Sequence, residues 1–583
     1  AGGVDTMQSP FMYLCFAKTR ALSPQGRPRT FDERADGIAI AEGVAAVVLK
    51  RLEDAERDGD RVYAVIKGIA GSSDGRAKGL TAPRPAGQLR ALRRAYRDAG
   101  YSPATVGLWE AHGTGTVAGD RAELETVTTL LDETGAQPAS GAIGSVKTLI
   151  GHTKATAGVA GLIKAALALH YRVLPPHRGV SQPLPPLRDA ASPLFVCPEA
   201  RPWLRQAGQP RRAGVSAFGF GGTNFHATLE EHPGESDPAV RAPLPDWPAE
   251  LFVWRASDEA GLSARLLELQ AVLRAGAQPR LPELAAALAR TLPERGRTLA
   301  IVAGSLAELE QRLAATLALP RGEQRSDCEG VYLPRSWTEE DGQAARLAVL
   351  FPGQGSQYPD MLRELAVALP ELAATLEQAD EVLRDAIGAS QRDRDRLSAF
   401  IYPPSRFRPE TAQAARARLT RTEIAQPALG AVEAGLWAWL KTLNLRPELA
   451  AGHSYGEYAA LHAAGVLDLE TLLRLSEARG RFIVEAAAGG ELGTMLAARA
   501  DVESVKAALT GVESVTLANY NAPRQLVLSG SAAAIEQARQ ALATRDIATA
   551  PLAVAAAFHS PIVEPAQARL AASMAELPFQ PPA

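Results

Sequence analysis

Cysteine is scarce. Cys15, Cys197 and Cys328 lie far apart in 583 residues and fit neither a zinc-ligand nor a Cys-x-x-Cys spacing. A disulfide scaffold and a zinc module are thereby excluded, and a reducing cytoplasm is the expected setting. Long apolar runs are also missing: none reaches the about 18 residues that suggest a membrane helix, and no basic segment leads into an apolar core at the N-terminus. Nothing points to export or membrane insertion. Charge shows no excess, since 62 Lys and Arg against 65 Asp and Glu leave −3, whereas a nucleic-acid binder carries a strong basic surplus. No start methionine precedes Ala1-Gly2-Gly3, so the sequence reads as a piece of a longer chain.

What is present is ordinary for a globular chain: 46% apolar and 22% charged residues. Its 583 residues exceed what one core organises, so two to four domains are expected. The most informative stretch is Gly452-His453-Ser454-Tyr455-Gly456-Glu457-Tyr458, preceded by the apolar Leu449-Ala450-Ala451 and followed by a helix-like run over 457–467. A serine bracketed by glycines between strand and helix is the pattern of a nucleophile elbow, which aims helix-start N–H groups at the reacting carbonyl. The same five-residue pattern occurs at Gly71-Ser72-Ser73-Asp74-Gly75, but Arg76, Lys78, Gly79 and two prolines follow, so that copy reads as a loop.

In the first region, 44–49 and 62–66 read as two strands of a hairpin around a polar turn at 56–60. A helix over 87–99 leads to a strand over 106–111 that ends in Glu110-Ala111-His112-Gly113-Thr114-Gly115-Thr116. A strand over 142–146 runs into Lys147, then Gly151-His152-Thr153 and a helix over 154–171. Alternating strands and helices indicate a layered α/β domain. His112 and His152 both end strands in glycine-rich turns, where side chains can reach a ligand.

These motifs resemble the C-terminal part of a β-ketoacyl synthase (ketosynthase) of multifunctional polyketide or fatty acid synthases. The resemblance is carried by Phe31-Asp32 with Ala35-Asp36-Gly37 and Glu42-Gly43, Glu110 through Thr116, Ser145-Val146-Lys147, Gly151-His152 with Ala157-Gly158, and Ser216 through Asn224. It implies a thiolase-type αβαβα fold, a homodimer, and decarboxylative condensation. It would make His112 and His152 the decarboxylating pair, Lys147 the lysine that orders the site, and Phe218 to Gly222 a gate loop. The family's nucleophilic cysteine sits in an Asp-Thr-Ala-Cys-type elbow that none of the three cysteines shows, and it is expected upstream of Ala1. Cys15, within Met12-Tyr13-Leu14-Cys15-Phe16, reads as a packing residue.

The proline-rich, charged stretch 231–248 marks a boundary. Beyond it, strands over 251–254 and 299–303 alternate with helices over 261–274, 281–291 and 306–318, without any catalytic constellation. This segment resembles the small α/β linker between ketosynthase and acyltransferase.

In the last region an apolar strand over 347–351 enters Pro352-Gly353-Gln354-Gly355-Ser356-Gln357, which lacks the Gly-Lys-Ser/Thr end of a phosphate loop. On a helix turning about 100° per residue, Leu472, Leu475, Phe482 and Ile483 share a face with Arg479 at its middle, and Arg474, Glu477 and Arg481 lie opposite. An arginine there needs an anionic partner: an internal salt bridge, or a substrate carboxylate suited to its fork. Strands and helices between 495 and 543 follow βαββαβ order, a ferredoxin-like insert. The chain then reaches Ala556-Ala557-Phe558-His559-Ser560.

Together these pieces resemble a malonyl-type acyltransferase of the same synthases. The resemblance implies Ser454 as nucleophile, His559 as its base, Gln354 and the Tyr455 N–H as oxyanion hole, and Arg479 as the clamp on the malonyl carboxylate. Gln426, Asn519 and Asn521 match positions around the pocket. Phe558 before the histidine matches malonyl users, although Ala556 stands where that motif usually starts with His. The segment Leu397 through Pro404 is reminiscent of iterative synthases of the polyunsaturated fatty acid and enediyne kind.

The expected architecture is multidomain α/β: a thiolase-like ketosynthase part over 1–230, a small α/β linker over 231–345, and an α/β-hydrolase-like acyltransferase over 346–583 whose ferredoxin-like insert covers about 490–552. The expected function is loading of malonyl from malonyl-CoA onto Ser454 and transfer to the phosphopantetheine of an acyl carrier protein. The expectation includes a homodimer formed through the ketosynthase part, no nucleic acid or membrane partner, and neither metal nor tightly bound cofactor. No Gly-x-Asp-Ser carrier attachment site occurs in this sequence. Two rivals stand beside this reading: a serine hydrolase or thioesterase on the same elbow, and a non-catalytic scaffold for dimerisation and carrier docking.

Overall fold

Alternation along two short strands sets the first architecture. In Leu108–Glu110 and Gly141–Gly144, Leu108 and Ala142 face one way while Trp109 and Ile143 face the other. Trp109 and Ile143 pack against Leu92 and Tyr96 of the helix Pro85–Ala99 and Leu124, Val127 and Leu131 of Val117–Glu133. Leu108 and Ala142 pack against Ala165, Ala168 and Leu169 of Ala157–Tyr171. The sheet is therefore covered on both faces, as a parallel sheet must be. Burying one such leucine is worth about 1.5–3 kcal/mol. The computed structural model that shows this describes every residue except 77–78, 80–81, 207, 235–246, 320–328, 334–345, 388–395, 406, 487–490 and 583.

The six strands stand in the order Val65–Ser73, Thr223–Glu230, Arg212–Gly219, Leu108–Glu110, Gly141–Gly144, Leu194–Phe195. The last four run parallel, and Thr223–Glu230 is antiparallel to both of its neighbours. The hairpin expected between 44–49 and 62–66 does not form. Gly43–Ala46 pairs instead with Gly2–Asp5, and Val65–Ser73 with Thr223–Glu230. The interval is the helix Leu52–Asp58, and Val48 is 97% exposed. The glycine–serine stretch expected as a loop is strand through Ser73. Cys15 does not pack inside: it lies exposed on Pro10–Lys18, a helix that buries none of its residues.

The chain separates into two units, Ala1–Arg241 with Ala348–Ala583, and Ala242–Leu347. The second unit carries an antiparallel sheet of Glu250–Ala256, Arg297–Ala303 and Val331–Tyr332. Leu262, Leu266, Leu269, Leu309 and Leu313 from its helices pack on Phe252, Trp254, Leu299 and Ile301.

Within the first unit, residues from 348 onward add a two-stranded parallel sheet, Ala348–Phe351 beside Leu449–Gly452. The helices Pro370–Val382, Thr422–Thr442 and Leu469–Ala486 meet around Leu372, Leu376, Ile424, Ala428 and Leu473. The insert has the strands Thr494–Ala498, Val515–Ala522, Gln525–Gly530 and Thr549–Pro551 and the helices Val502–Ala508 and Ala532–Ala543. Numbered one to four along the chain, its strands lie in the order 2-3-1-4, all antiparallel, which is the ferredoxin-like arrangement.

The two portions of this unit meet directly. The buried Arg211 donates to Glu231 Oε2 at 2.5 Å and the Trp203 carbonyl at 2.5 Å, and also to Glu377 on the helix Pro370–Val382. Leu204 enters the core formed by that helix. Arg201 donates to the carbonyls of Tyr402 and Pro403, and Arg396 returns to the carbonyls of Leu204 and Arg205. The segment singled out in sequence, 397–404, thus has part of its backbone at this joint. Among the described residues no helix is long and apolar enough to cross a membrane.

Candidate active site

At the end of Leu449–Gly452 the chain turns through His453, Ser454 and Tyr455 into the helix Gly456–Ala463. Ser454 has φ of 53°, the left-handed region that a non-glycine residue enters only when its surroundings impose it. The glycines do the imposing. A Cβ on Gly452 would collide with the Gly456 and Glu457 backbone, and one on Gly456 with the Phe351 and Pro352 carbonyls. Strand, loop and helix can approach this closely only without side chains there. From below, the fully buried Tyr455 places its hydroxyl 2.6 Å from Ser476 Oγ and anchors the turn.

The Ser454 Oγ stands 2.9 Å from Nε2 of His559. The histidine lies on a loop pinned by Ala557 N–H donating to the Leu492 carbonyl at 2.7 Å and by Ser560 Oγ donating to the Ala557 carbonyl at 2.6 Å. Burial, then the charges of Arg479 and His453, hold its pKa below the usual histidine value, so it is neutral and basic at neutral pH. Among the described residues no carboxylate bonds to it, which makes the pair a dyad rather than a triad.

Arg479 sits on Leu469–Ala486 among the buried Leu472, Leu475, Phe482 and Ile483, as the helical spacing predicts. Glu477 departs from that prediction: it is buried rather than exposed, because Arg481 Nε pairs with it at 3.0 Å. No carboxylate among the described residues pairs with Arg479. Its Nη1 donates to Gln426 Oε1 at 2.7 Å, and its guanidinium carbon lies 5.6 Å from the centre of the Tyr458 ring. A neutral amide and a ring face position the cation without cancelling it. Arg479, Phe558 and His559 line one cavity of about 460 Å³. Phe558 also packs on Phe482 and Ile483.

The Gly353 backbone abuts the His453 carbonyl, which brings the loop bearing Gln354 alongside the elbow. Neither the N–H of Gln354 nor that of Tyr455 is taken up by an acceptor among the described residues. Gln426 is fully buried; Asn519 is half-buried on Val515–Ala522, and Asn521 Oδ1 lies 3.0 Å from His453 Nε2. Sequence reasoning missed Tyr458 and Thr422. The four-residue spacing of Ser454 to Tyr458 and of Thr422 to Gln426, one helical turn each, was the available signal.

The first portion gathers a second constellation. The His112 and His152 rings meet edge to face at 5.6 Å between centres, with Phe218 5.9 Å from His112. Burial first, then the neighbouring Lys147, drives the pKa of His112 well below the usual value and that of His152 to about 3. His152 Nδ1 accepts from the Lys154 N–H at 3.0 Å, which leaves the proton on Nε2. Lys147 is buried; burial lowers its pKa while Glu110 and Glu123 favour its charge. Glu123, which sequence reading overlooked, accepts from the N–H groups of His112 and Gly113 at 2.7 Å each and so shapes the turn. Burial pushes the Cys197 thiol up to about 11, and Cys328 lies outside the described residues.

Family models match three stretches: the β-ketoacyl synthase N-terminal domain over 1–55, its C-terminal domain over 63–181, and the acyl transferase domain over 349–583. One polyunsaturated fatty acid synthase subunit, from Thraustochytrium sp., is 34% identical over 608 residues, covering 100% of this chain and 21% of that protein. Polyketide synthase GfsA of Streptomyces halstedii is 37% identical over 587 residues, covering 97% of this chain and 7% of that protein. A solved ketosynthase, from module 6 of the bacillaene synthase of Bacillus subtilis 168, is 36% identical with a TM-score of 0.39, covering 55% of this chain and 56% of that one. The chain thus spans a quarter or less of the first three curated relatives it matches.

Proposed function

The chain belongs to the ketosynthase–acyltransferase region of the type I polyketide synthases, and from that membership we propose that its second portion loads malonyl units onto a carrier. The neutral His559 takes the Ser454 proton, and Oγ attacks the thioester carbon of malonyl-CoA. The N–H groups of Gln354 and Tyr455 receive the oxyanion. Coenzyme A leaves as its thiol with the proton returned by His559. The phosphopantetheine thiol of an acyl carrier protein then attacks the malonyl-serine ester by the same steps in reverse order of roles.

Arg479 carries the choice of substrate. A cation without a carboxylate partner among the described residues, sharing a cavity with the histidine that bonds Ser454, suits an acyl group that ends in an acid; a hydrolase of neutral esters has no use for it. Phe558 fills space that an α-methyl group would need, a preference worth about 1–3 kcal/mol. Gln426 positions the clamp, and Asn519 is assigned to the surroundings of the pocket.

We assign 1–230 to a ketosynthase of a decarboxylative condensing enzyme, 231–345 to the linker and 346–583 to the acyltransferase, with the insert at about 490–552. His112 and His152, neutral and adjacent, suit stabilising an enolate by hydrogen bonds, with Lys147 ordering them. The proposal includes a homodimer formed through this part. Incubation with radiolabelled malonyl-CoA followed by peptide mapping tests the loading step. Label on the peptide carrying Ser454, absent in Ser454→Ala, is expected; no label on either protein leaves only the scaffold reading.

A further inference from the structure

A line of hydrogen bonds leads from the clamp to the loop beside the elbow. Arg479 Nη1 donates to Gln426 Oε1 at 2.7 Å, Gln426 Nε2 donates to Thr422 Oγ1 at 2.7 Å, and Thr422 Oγ1 donates to Gln354 Oε1 at 3.2 Å. Thr422 and Gln426 are both fully buried. The direction of this line is forced by chemistry. A guanidinium can only donate, so the Gln426 oxygen must face it and the amide nitrogen must face Thr422. The hydroxyl, having accepted, has its own proton free to give, and it gives it to Gln354. Gln354 therefore turns its oxygen toward Thr422 and leaves Nε2 as a buried donor with no partner among the described residues. An unpaired buried donor costs about 1–3 kcal/mol, and the Thr422 hydroxyl bond to Oε1 offsets part of that cost.

We infer that Thr422 is a positioning residue: its hydroxyl links the fixed polarity of Arg479 to the Gln354 side chain and so holds in register the loop whose Gln354 backbone N–H faces the acyl group reacting at Ser454. Only a side chain that accepts and donates at once can do this between two amides. Valine has the same shape and can do neither; serine can do both. This inference rests on the acyltransferase reading, deepens it, and fails separately from it.

The test is steady-state malonyl transfer by the intact chain, with Thr422→Val and Thr422→Ser beside the wild type. Thr422→Val is expected to lower kcat about 10- to 100-fold, less than the about 100- to 1,000-fold seen when a donor to a developing oxyanion is removed outright, with KM changed less than about threefold. Thr422→Ser should return kcat to within about threefold of wild type. Wild-type kcat in Thr422→Val overturns the inference, as does a serine variant as slow as the valine one, or a rise in KM alone. Should Thr422→Val not fold, Thr422→Cys replaces it, with a weak thiol donor and an intermediate loss of kcat expected; full activity there overturns the inference as well. A wild-type chain that takes no malonyl at all overturns the acyltransferase reading itself.

Discussion

Ser454 Oγ and His559 Nε2 are 2.9 Å apart although 105 residues separate them, and both residues hold a positive φ, 53° and 58°. Most of that interval is the ferredoxin-like insert, which leaves the elbow helix region and returns the chain beside it. Serine and histidine are thus each held in a backbone conformation that the surrounding structure has to enforce.

Arg479 is one of the charges that depress the His559 pKa, after burial. The rate at which a fluorophosphonate labels Ser454 should follow the neutral imidazole and fall on an acid limb placed below the ordinary histidine range. Arg479→Ala removes a cation that disfavours the imidazolium. Its acid limb should move to higher pH. A limb that stays in place or moves to lower pH contradicts the electrostatic account.

Glu433, in the buried middle of Thr422–Thr442, has neither carboxylate oxygen hydrogen-bonded among the described residues, and burial raises its pKa from 4.5 to about 8. The folded chain therefore holds a proton that the unfolded chain releases above 4.5. Stability from this group is full below about 4.5 and lost as pH rises through about 8. Glu433→Gln should remove that dependence. Thermal unfolding should show the variant gaining on the wild type between pH 5 and pH 8.5; parallel curves across that window would refute the assignment.

Arg211 has a side chain only 2% exposed and joins Glu231 to Glu377. Arg211→Ala strands two carboxylates at the joint between the two portions. A loss of about 3–5 kcal/mol is expected, as when one partner of a buried ion pair is removed. Urea unfolding of the intact chain measures it, and a midpoint equal to wild type would show that the joint does not depend on this pair.

Phe558→Ser should open space beside the clamp. Competition between malonyl-CoA and methylmalonyl-CoA should shift toward the methylated unit by roughly 10- to 100-fold, the range expected for one methyl group in a packed pocket. An unchanged ratio would place the size filter elsewhere.

The sequence made some of this legible and hid the rest for identifiable reasons. The elbow, the inward face of the Arg479 helix and the βαββαβ order of the insert are written in local spacing, and local spacing is readable. Strand partners are not local. Val65–Ser73 opens on a strand-like apolar pair, but its partner Thr223–Glu230 lies some 150 residues on, so the nearest apolar run is a false partner. Cys15 sits in an apolar run yet on a helix that buries nothing, because run composition does not say what covers it. Glu477 and Thr422 depend on a partner from the same or a neighbouring turn, Arg481 and Gln426, whose role appears only once side chains are placed.

The most direct test compares malonyl-CoA with acetyl-CoA as acyl donors to Ser454 in wild type and Arg479→Ala, read by intact-protein mass. Wild type should take malonyl in preference to acetyl. The variant should lose malonyl loading while still accepting acetyl. A variant that keeps the wild-type preference for malonyl would contradict the claim that Arg479 holds the substrate's acid end.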